Sequence, residues 1–247
     1  MKYLLGLLLT LTTLSSAAAE VSVAVASNFT APMKEIAAAF EQQSGHRTAV
    51  SFGSSGKLYA QIHNGAPFQL FLSADQEKPS ALERDGLAET GTRFTYSLGT
   101  LVLLASTAGS DPETLLREGN YQKLALANPR LAPYGAAAME VLTGLGLTET
   151  ATPRQVLGEN IAQTYQFVIS GNAQLGFVAR SQVAGNQQLS GRYWVVPKEL
   201  YSPIRQDAVL LKNGADNPAA LALIQFLHSD AAIAIMQNYG YGQPDKD

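Results

Sequence analysis

The chain has 247 residues, 46% of them hydrophobic and 15% charged, with a formal net charge of -3, so it has apolar content for one large core or two moderate ones. Lys and Arg number 17 against 20 Asp and Glu, which leaves no basic field for a phosphate backbone and no polybasic run for an anionic membrane, and excludes nucleic acid as a partner. There is no cysteine, which removes disulfides, thiolate metal sites, iron-sulfur clusters and cysteine nucleophiles together.

The first nineteen residues read as an export signal, with Lys2 as the positive end, an apolar run of eleven from Leu4 to Leu14, and Ala17-Ala18-Ala19 as the cleavage site before Glu20. A bilayer span takes about 20 residues, and no lipobox cysteine follows, so the expected product is cleaved after Ala19 and released into a periplasm. From Val21 the pattern is strand, turn, helix. Val21 to Ala26 is short and β-rich, and Met33, Ile36, Ala37 and Phe40 then recur at helical spacing between Pro32 and Gly45. Thr48 to Phe52 repeats the strand and runs into Gly53-Ser-Ser-Gly56, after which Leu58 and Ile62 share a helical face. A strand at Phe68 to Ser73, a helix near Lys78 to Arg84, and strands at Phe94 to Leu98 and Thr100 to Ala105 follow.

The alternation then starts afresh, with a helix near Pro112 to Arg117, a strand at Leu124 to Ala127, helices at Gly135 to Thr143 and Ala162 to Ser170, and a strand at Leu175 to Ala179. Beyond Tyr193 to Val196 come a strand at Ala208 to Leu211 and closing helices at Pro218 to Leu227 and Asp230 to Asn238. Strands alternating with helices of this length predict an α/β fold with mostly parallel sheets. Completion of the first sheet by the last strand makes two lobes, residues 20-98 with 203-247 and residues 99-202, with two crossovers between them.

Two strand-to-helix turns carry small polar side chains, Ser27-Asn28 and Ser54-Ser55. A helix N-terminus presents unpaired N–H groups and partial positive charge, so such a turn either caps itself or holds an anion. Two such turns in successive βα units point to one carboxyl edge of a sheet, where open α/β folds bind ligands. A competing reading is enzymatic: Ser54 and Lys57 match S-x-x-K of serine acyl transferases, yet neither S-D-N nor K-T-G occurs downstream. His46, His63 and His228 share no metal-ligand spacing, and the G-x-G-x-x-G, Walker A and H-E-x-x-H patterns are absent. Ala132-Pro133-Tyr134-Gly135 and Glu159-Asn160-Ile161 open two helices in the second lobe. Tyr134 there is either packing or a cleft residue, and the Asn160 turn either caps its helix or presents backbone N–H groups to a ligand.

Over residues 20 to 242 the chain resembles the periplasmic molybdate-binding proteins, the soluble receptors of molybdate ABC importers. The stretches that carry the resemblance are Ala26-Ser-Asn-Phe-Thr-Ala-Pro-Met33, Phe52-Gly-Ser-Ser-Gly56, Asn64-Gly-Ala-Pro67, Leu72-Ser-Ala-Asp75, Asn128-Pro-Arg-Leu-Ala-Pro-Tyr-Gly135 and Leu175-Gly-Phe-Val178. It implies a two-lobed type II binding-protein fold with two hinge crossovers, no catalysis and no cofactor. It also implies a monomer that takes molybdate or tungstate and hands it to a membrane permease. Oxyanion contacts are implied for Ser27, Asn28, Ser55, Tyr134 and the backbone N–H of Ile161, with no side chain ligating the metal itself. Many members place a ligand tyrosine where this chain has Ala179 and a small residue where it has Tyr134. This chain is similar to the branch whose tyrosine comes from the A-P-Y-G loop. A sulfate or other tetrahedral oxyanion receptor is the neighbouring reading.

Overall fold

The computed structural model describes residues 18 to 244; the predicted export signal lies largely outside them. The chain runs β1 (Glu20–Ala26), α1 (Thr30–Ser44), β2 (Arg47–Gly53), α2 (Ser55–His63), β3 (Leu70–Leu72), α3 (Glu77–Arg84) and β4 (Phe94–Gly99). It continues through β5 (Leu101–Ala105), α4 (Pro112–Glu118), β6 (Leu124–Ala127), α5 (Pro133–Gly144), α6 (Thr148–Ala151), β7 (Gln155–Gly158), α7 (Ile161–Ile169), β8 (Leu175–Ala179) and β9 (Tyr193–Val195). It closes with β10 (Ile204–Leu210), α8 (Pro218–Leu227) and α9 (Asp230–Asn238). The local rules are obeyed where they matter. In α1, Met33, Ile36 and Phe40 are buried and Gly45 ends the helix in the left-handed region at φ 73°.

Two five-stranded sheets form, in the orders β2-β1-β3-β10-β4 and β7-β6-β8-β5-β9. Their pairing patterns are the same. In the first, β1 is parallel to β2 and β3, while β10 is antiparallel to β3 and β4. In the second, β6 is parallel to β7 and β8, while β5 is antiparallel to β8 and β9. The two-lobed α/β architecture is therefore as expected, but the sheets are mixed rather than mostly parallel. The reason is the crossovers: β4 leads through Thr100 straight into β5 of the other sheet, and β10 returns from it, so each sheet receives a strand running against its βα units. The short edge strand β7 was not predicted. Its Leu157 is 50% exposed, so no alternating apolar pattern marks it.

Each sheet is covered on both faces. One face of the first sheet packs Val23, Leu72 and Ala208 against Phe29, Phe40, Leu223 and Met236, which buries the apolar faces of α8 and α9. Among the described residues no single helix is long and apolar enough to cross a membrane. The main core of the second sheet, around Leu103, Leu126 and Phe177, also takes in Ala26 and Ala74 from the first. The lobes are thus in apolar contact where the ends of β1 and β3 meet α5.

Candidate functional site

The equivalent strands β1 and β6, with their outer neighbours β2 and β7, deliver four turns to one place. After β1 comes a single 3₁₀ turn, Ser27–Phe29, leading into α1; after β2, Ser54 and Ser55 open α2. After β6 the loop from Asn128 leads to Pro133 and Tyr134 at the start of α5; after β7, Asn160 caps α7 and Ile161 is its first residue. All four turns line one cavity, with Ser27, Asn28, Ser54 and Ser55 from one lobe and Pro133, Tyr134 and Ile161 from the other. Every residue predicted for the site is among them. Ala179, the alternative tyrosine position, lies instead in the second lobe's core.

The cavity has a volume of only about 10 Å³, roughly one water position, far below the 300 Å³ or so at which pockets for drug-sized organic ligands begin. Its lining holds Ala, Ser, Asn, Gly, Pro, Tyr and Ile and no charged side chain. Three α-helices, α2, α5 and α7, start at it, each N-terminus carrying roughly half a positive charge. A wider groove of about 650 Å³ opens alongside, but Asp75, Glu77 and Glu140 line it together with Lys78, Arg130 and Arg205. Its carboxylates suit an anion poorly.

Within the cavity the hydroxyls of Ser55 and Tyr134 each have one partner and one capacity left. Ser55 Oγ accepts from the Ala74 N–H at 2.9 Å, which leaves its hydroxyl proton for another acceptor. At α7, Asn160 Oδ1 accepts from the N–H groups of Ala162 and Gln163, both at 3.0 Å. That cap satisfies two of the orphan donors and leaves the Ile161 N–H beside the cavity. Gln182 fixes Ile161 from behind by donating to its carbonyl at 3.0 Å. Asn28 is held on every side: its Nδ2 donates to Gln206 Oε1 at 2.7 Å and to Tyr241 Oη at 2.9 Å, and its carbonyl accepts from Ser181 Oγ at 2.7 Å and Tyr241 Oη at 2.9 Å. Tyr134 Oη accepts from Gln206 Nε2 at 3.3 Å. Burial, with Tyr241, Tyr96 and Tyr201 around it, holds the Tyr134 hydroxyl well above the usual tyrosine range, so it is a neutral donor.

Ser54 and Lys57 do not form a catalytic pair. Ser54 is buried and its Oγ has no hydrogen-bond partner, whereas Lys57 Nζ is turned to Glu159 across the cleft mouth, with both side chains about half exposed. That ion pair and the hydrogen bond from the Gly56 N–H to the Leu131 carbonyl, 2.9 Å, tie the lobes together over the cavity. Gln206, Tyr96, Tyr241 and Ser181 were not predicted. Each is remote in sequence from the turns it supports and belongs to no local motif.

The chain matches the family described as bacterial extracellular solute-binding protein over residues 21–242. It is 52% identical over 228 residues to the molybdate-binding protein ModA of Azotobacter vinelandii, covering 91% of this chain and 90% of that one. The chain belongs to this family. The ModA of Rhodobacter capsulatus is 48% identical, with 92% and 90% of the two chains covered. The solved periplasmic molybdate-binding protein of Azotobacter vinelandii superposes with a TM-score of 0.87 at 38% identity, covering 91% of this chain and all of that one. Membership makes the chain a solute-binding protein rather than an enzyme, in keeping with the geometry of Ser54 and Lys57.

Proposed function

We propose that this protein captures molybdate, and tungstate with it, in the cavity between its lobes and hands it to the membrane permease of an ABC importer. The observation that carries the reading is a small cavity lined from both lobes by neutral donors, in a chain half identical to a molybdate-binding protein. Molybdate at neutral pH is an unprotonated dianion that only accepts hydrogen bonds. Hydroxyls, backbone N–H groups and helix N-termini match it without leaving an acceptor facing an oxygen. The donors assigned are the hydroxyls of Ser27, Ser55 and Tyr134 and the N–H of Ile161. Asn28 contributes its backbone N–H, because both hydrogens of its side-chain amide are taken by Gln206 and Tyr241.

A fixed ring of neutral donors also selects by size and protonation. Sulfate is smaller and reaches fewer donors at once, and the proton of hydrogen phosphate finds no acceptor. Tungstate, of nearly equal radius, passes both filters. The working form is a periplasmic monomer cleaved after Ala19. Calorimetry with molybdate, tungstate, sulfate and phosphate tests the reading: one equivalent each of molybdate and tungstate should bind, with the other two at least about a hundredfold weaker. Absence of molybdate heat, or equal affinity for sulfate, overturns it.

A further inference from the structure

Behind the cavity lies a buried polar cluster centred on Gln206, which is 0% exposed. Gln206 sits where the pairing of β10 with β4 slips: it faces Ser97, Asp207 faces Thr95, and Tyr96 between them is left unpaired. Bulges of this kind re-aim side chains next to sites. Tyr96 Oη here comes within 3.1 Å of Gln206 Oε1 and 3.0 Å of the Ser73 carbonyl. The same Gln206 Oε1 accepts from Asn28 Nδ2 at 2.7 Å, and Gln206 Nε2 donates to Tyr134 Oη at 3.3 Å. One amide therefore touches a cavity residue from each lobe. The contact with Tyr134 depends on Gly99, the last residue before the first crossover. A Cβ there would lie 2.3 Å from Tyr134 Oη and 2.8 Å from Gln206 Nε2.

We propose that Gln206 is a positioning residue for the ion: its donation to Tyr134 Oη occupies one lone pair and turns the hydroxyl proton into the cavity, while its carbonyl holds Asn28 in place. The proposal deepens the molybdate reading and rests on it. A tyrosine hydroxyl rotates freely, and a lone pair aimed at a dianion repels it, so the direction of the proton decides whether Tyr134 helps or hinders binding. Gln206 suits the task because a carboxamide gives and accepts at once without charge. A carboxylate in its place would accept the Tyr134 hydroxyl's hydrogen bond and turn it away from the cavity. Tyr241 Oη, the other hydroxyl beside Tyr134, accepts from Asn28 Nδ2 and donates to the Asn28 carbonyl, and its second lone pair is the one internal alternative to the ion for the Tyr134 proton.

The test is a double-mutant cycle read by molybdate calorimetry on wild type, Gln206→Met, Tyr134→Phe and the double variant. Gln206→Met should raise Kd about tenfold or more in the wild type. In the Tyr134→Phe background the factor should fall several-fold, because the hydroxyl it orients is gone and only its hold on Asn28 remains to be lost. A Kd for Gln206→Met within about twofold of wild type, or the same factor in both backgrounds, overturns the proposal, since a residue that merely supports the fold would act alike in both. If Gln206→Met fails to fold by circular dichroism, Gln206→Leu, whose forked end is closer in shape to the amide and equally without a donor, enters the same cycle. Wild type that binds no molybdate overturns the functional reading and this proposal with it. Binding by the wild type with an unaffected Gln206→Met removes Gln206 alone.

Discussion

At Tyr134 a packing demand and a chemical one fall on different atoms. The side chain is 2% exposed among the second lobe's core residues, while its hydroxyl, held by Gln206, borders the cavity. Tyr134→Phe keeps the ring and deletes the donor. A hydrogen bond to a charged group contributes about 1.5–3 kcal/mol, so Kd for molybdate should rise roughly ten- to a hundredfold. A Kd within about twofold of wild type removes Tyr134 from the site. The buried tyrosines also set an alkaline limit. Tyr241 is raised from 10.0 to about 12 by burial, against the lowering effect of its hydrogen bonds to Ser181, Asn28, Tyr134 and Gln206, and Tyr96 and Tyr134 are raised in the same direction. Between about pH 10 and 12 the unfolded chain has lost protons that the folded chain keeps, so stability is whole below pH 10 and falls as pH rises through that window. Tyr241 alone accounts for about 3 kcal/mol. Phenolate absorbance should appear together with loss of the circular dichroism signal, and Tyr241→Phe should flatten the alkaline slope. An unchanged slope in that variant refutes the assignment.

The βα turns are the element that makes the site, and they were also what the sequence made legible. Ser27-Asn28, Ser54-Ser55 and Asn160-Ile161 stand out because small polar residues between a β-rich run and a helical period have a local meaning. Strand direction has none, so the mixed sheets had to come from the structure; a strand returning across a hinge reads like any other. Nor does sequence show a network joining residues 28, 96, 134, 181, 206 and 241, whose members meet only after both crossovers are made. The turn before α5 depends on a close approach that one residue permits. A Cβ on Gly135 would lie 2.1 Å from the Ala127 carbonyl oxygen and 2.8 Å from its carbon, both backbone atoms at the end of β6. Backbone on both sides cannot yield as a flexible side chain does. Gly135→Ala should therefore destabilise the protein by about 2–3 kcal/mol, a fall of several degrees in melting temperature, and weaken molybdate binding by shifting Tyr134. A melting temperature within about one degree of wild type would show that the turn relaxes at no cost.

At the scale of the whole molecule, the lobes are joined by Thr100 on one side and by residues 196–203 on the other, with the proposed donors divided between them. Contacts that hold this closed arrangement include the Gly56 to Leu131 hydrogen bond, the Lys57 and Glu159 pair, and the Ser181 hydroxyl on the Asn28 carbonyl. All three join lobe to lobe around the cavity. An exposed ion pair such as Lys57 with Glu159 contributes only about 0–1 kcal/mol, so the closed form rests on its buried interlobe contacts, and an anion bridging the helix N-termini adds to them. On the proposed function, bound molybdate adds cohesion, since the proposed donors come from both lobes and the unfolded chain has no equivalent site. Two measurements on the same samples follow. At a thousandfold excess over Kd the ion adds about 4 kcal/mol, which for a chain of this size raises the melting temperature by roughly 8 to 16 °C at about 2–4 °C per kcal/mol. Small-angle scattering should give a smaller radius of gyration with molybdate than without, while sulfate leaves the curve where chloride does. A melting shift with identical scattering curves would mean that the site is preformed and the hinge does not move on binding; no shift at all would mean that the ion is not held between the lobes.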